Sequence, residues 1–374
     1  MSTQPKKLKA AVVGCGGAGI GNHIPWYATN PKVELVGLVD INKQQAQGCS
    51  ERWGGRVYSD IGEMLDKEKP HLVSIATPVH LHREQAIECL KYGCHVLCEK
   101  PMAPTLEEAQ EMIDTAKDNK VILGIVFDKR FSLVYEKGRQ LILSGEIGVP
   151  LFMRVNWVTN VSWSGFRTKL YTGGGVFQDV GSHFIDLFRW YFNTEITTIN
   201  GVIDIFYPEE REVEDHATAL LQLKNGMSGI IETSWIGPKD YRYSHIGEVW
   251  VYCTEGAVKA LDSFRVELPG IDIWSKKQNE WRIISLPSNV ATFEHYQYKR
   301  MIDEFVACVD KEKEFVPSGE DGKRAVEAVL GLYQSWYTNK KIDLPLSQSP
   351  NLSEIFTSLR KKKPSHSCTE KHKR

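Results

Sequence analysis

A glycine-rich turn near the N-terminus, Gly14-Cys15-Gly16-Gly17-Ala18-Gly19, narrows the fold more than any other stretch of the chain. It stands directly behind the apolar run Leu8–Val13. G-x-G-x-x-G between a strand and a helix lets the chain turn tightly and brings backbone N–H groups up to a pyrophosphate. The pattern predicts that Gly14, Gly16, Gly17, Ala18, Gly19 and Ile20 line a dinucleotide. The next apolar run, Glu34–Val39, ends in Asp40, 21 residues after Gly19. A carboxylate there accepts hydrogen bonds from the adenosine ribose hydroxyls. Its charge would repel a 2′-phosphate, and Ile41 and Asn42 supply no arginine to bind one, so NAD is expected over NADP.

The rest of the first 127 residues fits this beginning. Short β-branched runs at Leu72–Ala76, His95–Cys98 and Val121–Phe127 alternate with helical stretches such as Lys43–Trp53 and Arg83–Lys91. Thr105 and Glu108 form a T-x-x-E capping box at the start of a further helix. Residues 1–127 therefore read as an α/β Rossmann domain with a parallel, doubly wound sheet. Beyond Asp128 long strand-like runs dominate: Leu151–Thr159, Ile199–Phe206, Ala217–Leu223 and Met227–Trp235. Asn225-Gly226 between the last two predicts a type I′ hairpin turn. Two helices are expected at Glu294–Lys311 and Asp321–Thr338. Residues 128–345 thus read as an α+β domain on a mostly antiparallel open sheet, and 346–374 as a basic, mobile tail.

A chain of 374 residues suits about two domains. With 46 basic against 47 acidic side chains it has no basic excess for a nucleic-acid partner. No apolar run is long enough to cross a bilayer, so no membrane association is expected. The eight cysteines lack paired spacing, which points to free thiols and a cytoplasmic location. Cys94 and Cys98 have no second pair nearby, and no metal site is expected.

At Glu99-Lys100-Pro101, ending the fifth strand, the sequence resembles the glucose–fructose oxidoreductase/inositol dehydrogenase/rhizopine-catabolism (Gfo/Idh/MocA) family. Thr77-Pro78 followed by His82 is similar to that family's T-P-x-x-x-H, and Arg130-Phe131 to its R-F. Gly173, Gly174, Gly175, Asp179, Gly181, His183 and Asp186 stand at the spacing of its G-G-G-x-x-x-D-x-G-x-H-x-x-D. Asp128, where many members carry asparagine, departs from the pattern, and the basic tail has no counterpart. The resemblance implies NAD(P)-dependent oxidation or reduction of a sugar, sugar derivative or cyclic polyol. It implies Lys100, Asp179 and His183 as catalytic and substrate-binding groups. It implies cofactor contacts from Thr77, Pro78, His82, Glu99 and Lys100.

These residue types suit the chemistry. A neutral imidazole accepts a hydroxyl proton near neutral pH, a carboxylate orients it, and an ammonium steadies the developing oxyanion. Asp179 and His183 are four apart on an expected helix and would share a face. The glycines at 173–175 and 181 would let backbone and cofactor approach. Arg167 is a candidate for binding substrate hydroxyls or a carboxylate, with a surface salt bridge as the equal alternative, and Trp163 for stacking on a sugar. Trp157 and Trp235 are read first as core or interface residues, with sugar stacking as the alternative; Tyr171 and His245 are undecided pocket candidates. Two other activities suit the same motifs: a redox-neutral glycosidase that holds NAD tightly, and a non-catalytic dinucleotide-binding regulator. The open sheet predicts a homodimer, or a homotetramer made from such dimers.

Overall fold

The computed structural model describes residues 7–159, 165–207, 209–237, 246–263, 270–285 and 296–361. They form two compact units, each gathered from separate stretches of chain. One is Met1–Leu143 with Leu268–Gly270 and Ile284–Val326; the other is Ser144–Glu267 with Ile271–Ile283 and Glu327–Arg374.

The first unit holds six parallel strands: β1 (Leu8–Val13), β2 (Val33–Val39), β3 (Arg56–Tyr58), β4 (Leu72–Ile75), β5 (His95–Cys98) and β6 (Leu123–Ile125). Their order, β3-β2-β1-β4-β5-β6, is the doubly wound one. Successive residues Ala10, Ala11, Val12 and Val13 are all buried, as a strand covered on both faces requires. The connecting helices are α1 (Ile24–Ala28), α2 (Lys43–Trp53), α3 (Ile61–Glu68), α4 (His82–Lys91), α5 (Leu106–Asp118) and α6 (Leu133–Leu143). Asn42, Asp60 and Thr105 begin α2, α3 and α5 by accepting backbone N–H groups at 3.2, 2.7 and 3.2 Å. The edge strand β3 is too short to show a period of two in the sequence.

The second unit is built on nine strands. They are β7 (Pro150–Val158), β8 (Ile196–Asp204), β9 (His216–Leu223), β10 (Ser228–Ser234), β11 (Ile246–Cys253), β12 (Gly256–Ser263), β13 (Gly270–Ser275), β14 (Glu280–Ser285) and β15 (Ile342–Asp343). Their order is β14-β13-β12-β11-β7-β10-β9-β8-β15, with β7 and β10 parallel and their outer neighbours β11 and β9 antiparallel. One face packs on helices: Phe184 of α7 (Ser182–Phe192) lies 5.9 Å from Trp157, and Phe188 fills the space above Gly229. The other face carries Trp250, Arg154, Ile230 and Leu220 in register on β11, β7, β10 and β9. Leu220 there is 53% exposed.

The β9–β10 turn corrects the expected type I′ geometry. Gly226 has φ +87°, but Asn225 is not at positive φ. Gly226 N–H bonds the Leu223 carbonyl at 3.0 Å, which makes a type I turn followed by a glycine bulge. The asparagine acts instead through its side chain, accepting the Met227 N–H at 3.2 Å.

The domain boundary also differs from the expected 127/128. Helix α8 (Tyr296–Asp310) belongs to the first unit, where Met301, Ile302, Phe305 and Val306 join Ala10, Val12, Ile24 and Tyr27 in one core. Phe315 follows it into the same core, against Gly124 of β6, where a Cβ would stand 2.6 Å from its ring. Helix α9 (Gly319–Thr338) begins in the first unit and ends in the second. The expected mobile tail is partly helical: α10 (Leu352–Lys361) buries Ile355, Phe356 and Leu359. Their i, i+1, i+4 spacing makes an apolar stripe that the basic residues after it obscure.

Candidate active site

In the first unit the glycine turn leaves β1 and enters a single π turn, Gly19–His23, before α1. Two glycines are demanded by the protein itself. Gly14 sits at φ +97°, and a Cβ on Gly19 would lie 2.0 Å from the Gly14 carbonyl oxygen. Gly16 and Gly17 face open space, so the loop has room for a phosphate-bearing ligand against its backbone. Asp40 stands at the end of β2. Its carboxylate accepts the Cys15 N–H at 2.7 Å and the Asn42 N–H at 2.8 Å, and it remains partly exposed, with further lone pairs for hydroxyl donors. These residues fit the adenosine half of a dinucleotide. Ile20 is 38% exposed beside them.

Thr77 and Pro78, partly exposed, follow β4, and the Thr77 hydroxyl bonds Gln85 at 2.6 Å. His82, expected to touch the cofactor, is buried instead, with ring nitrogens 2.7 Å from the Thr77 carbonyl and 3.0 Å from the Pro101 carbonyl. Burial lowers the pKa of its imidazole. A neutral ring there can donate to only one of the two carbonyls.

Glu99 is buried at the end of β5, and Lys100 behind it is partly exposed. A histidine that sequence reasoning passed over, His23, holds the glutamate. Its Nε2 is 3.3 Å from Glu99 Oε1 and its Nδ1 is 3.0 Å from the Ser74 hydroxyl, which meets the Tyr27 hydroxyl at 2.9 Å. Glu99 can only accept, so Nε2 carries the proton and the chain runs Tyr27 to Ser74 to His23 to Glu99. Asn22 Nδ2 donates to the same oxygen at 3.2 Å, and the Lys100 N–H to the other at 3.2 Å. Burial alone would raise the Glu99 carboxyl, but His23, Lys100 and Asn22 outweigh it and hold the pKa below the ordinary value. The position of His23, four residues past Gly19, was the available signal.

In the second unit, Asp179 lies in a π turn, Phe177–Gly181, and His183 in the first turn of α7. The expected continuous α-helix is therefore replaced by a wide turn feeding one. Arg167 Nε stands 3.5 Å from Asp179 Oδ2, an ion pair with a partly exposed guanidinium. The glycines here serve the protein's own packing. A Cβ on Gly174 would meet the Arg167 carbonyl at 2.1 Å, one on Gly175 would meet Glu214 Oε2 at 2.4 Å, and one on Gly181 would meet the Phe177 ring at 2.6 Å. Asp186 is buried, and so are Trp157 and Trp235, which places both tryptophans in the core; Tyr171 is 74% exposed. Trp163 and His245 lie outside the described residues.

A doubly wound nucleotide-binding unit and a second unit with an open mixed sheet define the class. Residues 8–127 match the oxidoreductase family with an NAD-binding Rossmann fold, and residues 135–259 match the GFO/IDH/MocA C-terminal domain. Together the matches span about two thirds of the chain, which belongs to the GFO/IDH/MocA family of NAD-binding oxidoreductases. It is 27% identical over 362 residues to D-glucoside 3-dehydrogenase of Escherichia coli, covering 92% of this chain and 99% of that one. It is 29% identical over 328 residues to glucose-6-phosphate 3-dehydrogenase of Bacillus subtilis, covering 75% and 91%. A levoglucosan dehydrogenase solved with NADH and levoglucosan shares the fold, with a TM-score of 0.82 at 21% identity, over 91% of this chain and 100% of that one.

Proposed function

We propose that this protein is an NAD-dependent dehydrogenase that interconverts a secondary alcohol and a ketone on a sugar, sugar derivative or cyclic polyol. The observation that carries the reading is the glycine turn with its open Gly16 and Gly17 faces and Asp40 at the end of β2. Relatives named for glucoside, glucose 6-phosphate and inositol oxidation support the substrate class.

NAD, when bound, supplies the hydride acceptor. His183 takes the hydroxyl proton as the C–H bond breaks. Asp179, paired with Arg167, orients the imidazole or holds a neighbouring hydroxyl, and the guanidinium adds a donor for the substrate. Lys100 steadies the oxygen as it becomes negative, and Glu99, fixed by His23 and Asn22, holds the Lys100 backbone. Asp40 selects NAD over NADP. Thr77 and Pro78 contribute to the cofactor site, and Trp163 to the sugar site.

We also infer a cytoplasmic homo-oligomer, a dimer or a pair of dimers, formed through the sheet face of the second unit that carries Trp250 and Leu220. Trp250, Tyr252 and Trp281 gather there with ring centroids 5.8 and 6.0 Å apart, and Trp281 is 53% exposed. The eight cysteines without pairing pattern support the compartment.

A panel of sugars, glycosides and inositols incubated with NAD, read by NADH absorbance, tests the reading. Stoichiometric NADH with one substrate class is expected. Glycoside cleavage with tightly held NAD and no net NADH would overturn it in favour of the redox-neutral hydrolase.

A further inference from the structure

We propose that Glu214 is the positioning residue for the segment 173–181: its buried side chain, spanning the Phe177 N–H and the Tyr333 hydroxyl, determines where Asp179 stands. The proposal deepens the dehydrogenase reading and rests on it for the meaning of Asp179.

Glu214 comes just before β9 and is fully buried. Its Oε1 accepts the Phe177 N–H at 2.9 Å and the Tyr333 hydroxyl of α9 at 2.8 Å. Its own carbonyl accepts the Val176 N–H at 3.1 Å. Among the described residues its Oε2 has no hydrogen-bond partner, and it lies against Gly175. The Asp179 N–H in turn bonds the Gly175 carbonyl at 2.9 Å. One side chain thus touches the segment at 175 and 177, its backbone touches 176, and the next hydrogen bond of the segment reaches Asp179. A glycine at 175 is what lets the carboxyl come so close.

A buried carboxyl with this set of neighbours is neutral rather than charged. Burial pushes the Glu214 group up to about 8, against the pull of the Phe177 N–H and Tyr333. The titratable groups facing it are Tyr333 from α9, itself raised well above the ordinary phenol range by burial, and the adjacent Asp215. Asp215 is tied to Arg211 at 3.1 Å and to the Phe206 and Tyr207 N–H groups. The proton on Glu214 keeps an uncompensated charge from forming beneath the segment, so a neutral amide can substitute for it and a methyl group cannot.

The experiment compares Glu214→Gln, Glu214→Ala and Tyr333→Phe in the full-length protein. Its readouts are kcat and KM for the substrate found in the panel, NAD affinity by calorimetry, and amide exchange at residues 176–179. Glu214→Ala should lower kcat by ~10²-fold, because a displacement of about 1 Å costs that much, with NAD affinity unchanged. It should also deprotect the Val176 and Phe177 amides. Glu214→Gln should restore kcat to within about threefold and abolish any fall of kcat above pH 8. Tyr333→Phe, which keeps the fold if the alanine variant does not, should give an intermediate loss. Wild-type kcat and wild-type amide protection in Glu214→Ala would overturn the proposal, as would a glutamine variant as impaired as alanine. Should the wild type oxidise nothing in the panel, the dehydrogenase reading fails, and amide exchange alone still decides whether Glu214 holds the segment.

Discussion

Replacing His23 by leucine removes the central link between Ser74 and Glu99. Two costs follow. Glu99 loses a charge-assisted bond at 3.3 Å, worth ~1.5–3 kcal/mol, and the buried Ser74 hydroxyl loses its acceptor at 3.0 Å, for ~1–3 kcal/mol. The sum, about 2.5–6 kcal/mol, is the cost of leaving a buried carboxylate and a buried hydroxyl each short of one hydrogen-bond partner. In a unit of this size it should lower the unfolding midpoint by about 10 °C. Calorimetry at pH 7 measures this, and NAD identifies the transition of the first unit by raising it. The pH dependence carries a sign. Glu99 has a folded pKa below the ordinary carboxylate value, so its stabilisation is present above that value and is lost as pH falls through the folded one. Without His23 the shift shrinks, and the gap between wild type and variant should narrow as pH falls below about 4.5. A midpoint within 2 °C of wild type at pH 7, or a gap independent of pH, would refute the hydrogen-bond chain.

NAD should bind about tenfold to a hundredfold tighter than NADP, and Asp40→Ser should narrow that ratio; equal affinities in titration calorimetry would remove Asp40 from the adenosine site. Lys100→Met and His183→Ala should each lower kcat by ~10²–10⁴-fold without weakening NAD, and the double variant should lose far less than the product of the two. Near-normal turnover in His183→Ala would assign the base elsewhere. Leu220→Asp combined with Trp250→Asp should convert a dimer or tetramer to monomers in sedimentation; a wild-type monomer of 42.5 kDa at micromolar concentration would exclude this sheet face as an interface.

Features that are local in sequence are legible in the sequence alone. β1 and β5 fall at Leu8–Val13 and His95–Cys98, α2 at Lys43–Trp53, and the Thr105 cap is in place, because strand runs and caps depend on neighbouring residues. The glycine turn and Asp40 were legible for the same reason. Glu214 was not: one acidic residue ahead of a strand looks like any other, and only the fold brings it under Gly175. His23 was hidden because its partners, Ser74 and Glu99, lie 51 and 76 residues away. At glycines 174, 175 and 181 the packing demand was not legible, since their neighbours are a carbonyl, a carboxyl and a ring from elsewhere in the second unit or one turn back.

The return of α8 and Phe315 to the first unit has a bearing on how the chain is made. The β1 side of that core is synthesised first, yet Met301, Ile302, Phe305, Val306 and Phe315 complete it only after the strands of the second unit up to β14 have left the ribosome. The nucleotide-binding unit must therefore wait with an apolar flank uncovered while some 150 further residues emerge, as the two stretches Met1–Leu143 and Ile284–Val326 require. A fragment ending at residue 143 should show the same flank permanently, and should aggregate or recruit a chaperone unless residues 296–326 are supplied as a separate peptide.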